Sequence, residues 1–71
     1  MKEAIFEQVY AFLEDYIRRV GCSPIYREIA IGCHMTLDRT MDALSILEAR
    51  GKIEREEGVH RSIRIVSSVA D

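Results

Sequence analysis

Arg27, Arg39, Arg61 and Arg64 are among the side chains of this 71-residue sequence with the most to offer a ligand. A guanidinium presents a planar fork of donors that matches a phosphate or the O6/N7 edge of guanine. Near them in sequence stand Tyr26, Thr36, Asp38, Asp42 and His60. Thr36 has a hydroxyl suited to capping a helix, and an uncovered helix start turns backbone N–H groups toward an anion. Asp38 and Asp42 repel phosphate, yet a carboxylate accepts a hydrogen bond from cytosine N4. The stretch from Gly58 to Val66 holds His60, Arg61 and Arg64 and no acid. His60 adds charge as pH falls, which makes binding slightly pH-dependent. The chemistry these types suit is nucleic-acid recognition, with phosphate contacts for position and base contacts for selectivity. Each has a plainer reading: Arg27 in a surface ion pair, Arg39 solvated, the aspartates offsetting a helix dipole, and residues 58–64 as a solvated loop.

Other chemistries find less support. Cys22, Cys33, His34 and His60 lack the paired spacing of a metal site, and both cysteines read as free thiols in buried or half-buried positions. Ser23, Ser45 and Ser62 have no neighbouring base and orienter, and there is no glycine-rich phosphate loop. No enzyme, cofactor or metal is expected. The formal net charge of −2 argues mildly against a polyanionic partner, but the acids gather in the first helix and at Glu54, Glu56 and Glu57. An apolar fraction of 48% is that of a globular domain. No run is long enough to span a membrane, and Glu3 and Glu7 interrupt any signal-peptide core, so a cytoplasmic protein is expected.

The elements that must position these residues follow from periodicity and breakers. Ile5, Val9, Phe12, Leu13, Tyr16, Ile17 and Val20 form one stripe of a helix over about 2–20, closed by Gly21. Pro24 separates it from a short helix over about 26–31. Residues 32–35 leave room only for a turn. A third helix spans about 37–50, capped by Thr36 and closed by Gly51, burying Leu37, Thr40 or Met41, Leu44 and Leu47. Met41 is assigned to the core rather than to a thymine methyl. Two short strands, 53–56 and 62–66, flank a loop and complete a hairpin. Residues 67–71 read as a tail or the start of a linker, leaving one domain over 1–66.

A mainly helical chain with a small β-hairpin, in the order helix, short helix, tight turn, helix, two-stranded wing, is the layout of a winged helix-turn-helix. Such a fold offers the third helix to the major groove of DNA and the wing, residues 56–62, to the flanking backbone. A different class of function, a winged-helix module that binds protein and has lost DNA, fits the acidic balance.

Three blocks carry a resemblance to a known family. Gly21-Cys22-Ser23-Pro24-Ile25-Tyr26-Arg27-Glu28-Ile29-Ala30 resembles the G-x-S-P-T-x-R-E-I-A stretch of LexA-type repressors. Leu44-x-x-Leu47-Glu48-x-Arg50-Gly51-x-Ile53 resembles their L-x-x-L-x-x-K-G-x-I segment, and Gly58-x-x-Arg61-Ser62-Ile63-Arg64-Ile65 resembles their wing. The resemblance implies the fold, double-stranded DNA as partner and a repressor; because one such domain buries a modest interface, tight binding is expected from a homodimer on a two-fold site. It also implies that Arg61 orders the wing or meets DNA. Ile25 replaces the family's threonine, which halves the capping box with Glu28; Cys33 stands for a glycine of the turn; the family's L-T-x-R-Q opening is absent. Residues 36–42 differ from the family's reading residues, and the 71 residues hold no counterpart of its self-cleaving peptidase domain.

Overall fold

In the computed structural model residues 2–56 and 58–66 are described. Three helices come first: α1 (Glu3–Val20), α2 (Tyr26–Gly32) and α3 (Leu37–Ala49). Two strands follow, β1 (Ile53–Glu54) and β2 (Arg64–Ile65), paired antiparallel with Ile53 opposite Ile65 and Glu54 opposite Arg64. This is the winged helix-turn-helix architecture. No described helix is long and apolar enough to cross a membrane. The tail at 67–71 lies outside the described residues.

α1 buries Phe6, Val9 and Leu13, three- and four-residue steps along one face. The stripe therefore runs through Phe6, while Ile5 is half-buried and Val20 lies exposed past the end of the core. Gly21 takes φ 91°, and its N–H closes the helix on the Ile17 carbonyl at 2.9 Å. Lys2 has no side-chain cap to offer; instead Arg50, at the far end of α3, holds Glu3 through both guanidinium nitrogens at 2.6 and 3.3 Å. Its guanidinium also lies 4.8 Å from the centre of the Phe6 ring.

α2 starts without a side-chain cap at Ile25, which has no polar side-chain atom. The surviving half of the box is Glu28, whose carboxylate accepts the Ile25 N–H at 2.9 Å. The helix runs one residue past expectation, to Gly32, where α2 passes α1 closely. A Cβ at Gly32 would lie 2.1 Å from the Phe12 ring. The turn closes through the Cys33 N–H on Ile29 O (2.8 Å) and the Met35 N–H on Ala30 O (3.0 Å). Its left-handed residue is His34, φ 56°, and not Cys33, whose φ is −99°. Cys33 is buried, and burial pushes its thiol above the usual range; Cys22 is exposed.

α3 opens on Thr36, whose hydroxyl accepts the Arg39 N–H at 3.1 Å. Thr40, Ala43, Leu44 and Leu47 are its buried face. Leu37 and Met41 are not: both remain more than 40% exposed. Thr40 takes the core position because its hydroxyl donates to the Thr36 carbonyl at 2.9 Å, so its burial leaves no donor stranded. Ile53 and Ile63 from the hairpin complete the core.

Candidate nucleic-acid interface

The helix-turn-helix comes from α2, the His34 turn and α3, and the cap at Thr36 sets where α3 begins. Thr36, Leu37, Asp38, Arg39, Met41 and Asp42 are all exposed there. Uncapped N–H groups at a helix start, with the positive end of the peptide dipoles behind them, favour an anion. Asp38 in the first turn offsets part of that field.

The structure sorts the cations sharply. Of the eight arginines, only Arg27 and Arg39 have no carboxylate partner among the described residues. Arg64 reaches Glu54 across the two-stranded ladder at 2.5 Å, with both side chains mostly in solvent, so the pair yields readily to a competing anion. Arg61 is held far more firmly. Its Nη1 donates to the Ser23 carbonyl (3.0 Å), Glu28 Oε1 (3.2 Å) and the Tyr16 hydroxyl (3.4 Å), and its Nη2 donates to Glu28 Oε2 (3.3 Å). The Tyr16 hydroxyl and the Glu28 carboxylate raise the Arg61 pKa further. Glu28 is held below the usual carboxylate range, first by the Ile25 N–H and then by Arg61 and Tyr16.

Tyr26, Arg27, His60 and Arg61 meet around one depression of about 420 Å³, together with Ile25, Leu37, Gly58 and Val59. The start of α2, the start of α3 and the loop of the hairpin therefore converge on a single rim. Thr36, Asp38, Arg39 and Asp42 do not line it; they stand on or beside the open first turns of α3. Arg64 lies on a second depression, beside Cys22, Arg55 and Ile65. Among the described residues no group of three His, Cys, Asp or Glu side chains converges to hold a metal ion.

The hairpin ladder is shorter than the sequence suggests, because side chains take over its hydrogen bonds. Ser62 Oγ accepts the Glu56 N–H (2.9 Å) and donates to the Glu56 carbonyl (3.1 Å) where the next rungs would be. Arg55, expected only as a strand residue, turns inward to Glu48, Tyr26 and Ser45 at 2.9–3.0 Å. Its guanidinium also sits 5.6 Å from the centre of the Tyr26 ring. Ser23 is buried, and its hydroxyl accepts the Ile63 N–H at 3.3 Å. These two residues fasten the wing to the helices. Their partners lie 10 to 40 positions away, except for the Arg55–Glu48 pair seven apart, so no local spacing reveals them.

No model of a known protein family matches the chain. Curated proteins do. The chain is 37% identical over 62 residues to the LexA repressor of Thermotoga maritima, covering 87% of this chain and 32% of that protein. To the LexA repressor of Thermotoga neapolitana it is 37% identical over 71 residues, covering 97% of this chain and 36% of that protein. That of Thermotoga petrophila is 36% identical over 62 residues. The chain spans about a third of the length of the curated relatives it matches. Three helices and an antiparallel hairpin in this order make the chain a winged helix-turn-helix domain, and along most of its length it is similar to LexA repressors.

Proposed function

We propose that this domain binds double-stranded DNA with sequence selectivity, as the DNA-contacting part of a transcriptional repressor. The observation that carries the reading is the similarity, over 87–97% of the chain, to proteins named LexA repressor. In this reading α3 lies in the major groove with Arg39, Asp38 and Asp42 at base edges. Thr36, Tyr26 and Arg27 meet the phosphates on one side, and the wing brings His60 and Arg64 to the flanking backbone. The two unpaired arginines support it: an arginine at the start of each helix of the pair has no internal use to give up. One such domain covers a small interface, so two copies on a two-fold site give tight binding.

Fluorescence anisotropy on mixed-sequence duplex DNA at falling salt tests the reading, with an Arg27→Ala, Arg39→Ala double variant beside the parent. Salt-sensitive binding that the variant loses is the expected result. Absence of binding at every salt, in a domain shown to be folded by circular dichroism, would overturn it and favour a protein partner.

A further inference from the structure

Arg61, in the loop of the wing, is engaged by residues of the helix-turn-helix and of α1. It sits in the left-handed region, φ 57°, a backbone state that a non-glycine residue adopts at a cost and that the surroundings must hold in place. What holds it is the fork on Glu28. That carboxylate in turn accepts the Ile25 N–H at the start of α2. The same arginine donates to the Ser23 carbonyl, two residues before Ile25. The loop of the wing is thus joined to the first turn of the helix-turn-helix through the Glu28 carboxylate, across 33 positions of sequence, and to the segment before it through the Ser23 carbonyl.

We infer that Glu28 and Arg61 are positioning residues for DNA binding: they set the wing against the helix-turn-helix and do not themselves touch DNA. The inference rests on the DNA-binding reading above. A wing tethered in advance meets the backbone without first losing its freedom, whereas a released wing loses that freedom on binding. The clamp is also why the arginine is not available to phosphate. Its two fork nitrogens already serve a carboxylate, and a phosphate would have to displace that partner beside Tyr16.

Glu28→Gln isolates the clamp, because an amide oxygen still accepts the Ile25 N–H while the charge facing Arg61 is gone. Arg61→Gln removes the other half. The parent, each variant and the double variant are titrated with the same duplex over a range of salt, with Arg27→Gln as the phosphate-contact control. Both clamp variants are expected to weaken binding roughly tenfold with an unchanged slope of log K against log salt. The double variant is expected to be no weaker than the poorer single variant. The control is expected to lose about 0.9 of slope, the signature of one phosphate contact. A slope that falls in Arg61→Gln would place Arg61 on a phosphate and overturn the inference. So would a Glu28→Gln variant that binds like the parent.

Amide hydrogen exchange of the free domain reads the clamp without DNA. Faster exchange at residues 58–63 in Glu28→Gln, with α1 and α3 unchanged, is expected; unchanged exchange there would also overturn it. If the parent binds no DNA at any salt, the functional reading fails, and the DNA-positioning part of the inference fails with it. The exchange result then still decides whether the clamp orders the wing.

Discussion

At the scale of single residues, two side chains sit in conformations or environments that make direct predictions. His34 holds a left-handed backbone without any side-chain hydrogen bond among the described residues. His34→Gly relieves that strain, and chemical denaturation is expected to show a gain of up to about 1 kcal/mol, less whatever the glycine gains in unfolded-chain freedom. Glu28 is the second case. Its folded carboxyl lies below its ordinary 4.5, chiefly through the Ile25 N–H and then through Arg61, with Tyr16 also facing it. The unfolded chain therefore takes up this proton first. The stabilisation is full above the ordinary carboxylate range and is lost as pH falls through the lowered folded value. Melting temperature is expected to drop more steeply below pH 4.5 in the parent than in Glu28→Gln. Parallel curves would show that the carboxylate contributes nothing.

At the scale of elements, the start of α3 and the end of α2 are the places where one atom decides the geometry. The Thr36 hydroxyl takes the Arg39 N–H, and the helix it caps is the one that the proposed reading offers to DNA. Thr36→Ala is expected to cost about 1 kcal/mol in urea unfolding, and to weaken DNA binding beyond that loss by fraying the first turn. Gly32 stands where α2 crosses α1, with the Phe12 ring in the space a Cβ would fill. That ring stacks on Tyr16 at 5.9 Å between centres, so it does not swing away freely. Gly32→Ala gains helix propensity but overpacks the crossing, and a net destabilisation of roughly 1–2 kcal/mol is expected in thermal or urea melts. A neutral or stabilising result would mean that the Phe12–Tyr16 pair adapts.

At the scale of the whole molecule, a net charge of −2 stands against the polyanionic partner of the proposed function. Internal pairing leaves that balance unchanged and decides instead which arginines stand free. Asp15, Glu3, Glu48, Glu28 and Glu54 each face arginine, which quenches acids and bases together and leaves Arg27 and Arg39 as the arginines unpaired among the described residues. In the proposed reading Arg27 and Arg64, with His60, make two or three phosphate contacts, so the salt dependence of one bound domain is expected to be shallow. A log–log slope of about −2 to −3 per domain is the prediction, measured by anisotropy; a slope steeper than about −5 would mean that paired arginines exchange their carboxylates for phosphate on binding.

Much of this architecture was legible in the linear sequence because its causes are local. Apolar residues at three- and four-residue steps mark α1 and α3, Gly21 and Gly51 stop them, and Thr36 caps the second. The order of three helices and a hairpin, and the three blocks of family resemblance, follow from residues close together in sequence. Periodicity leaves the phase of a stripe open by one residue, so it did not reveal that Phe6 carries the first turn of α1 in the core or that Leu37 and Met41 face outward beside a buried Thr40. Packing between helices decides that. Tertiary structure alone also decided which cations are unpaired. By residue type Arg61 reads as a wing cation like its neighbours, and the family resemblance leaves it either ordering the wing or meeting DNA; the return of the chain to Ser23 and Glu28, 38 and 33 positions earlier, gives it partners within the protein. The side-chain partners that shorten the ladder, and the left-handed His34 in place of Cys33, have the same origin. Repeats and caps arise between near neighbours, while charge pairing and strand length depend on which distant residues the fold brings together.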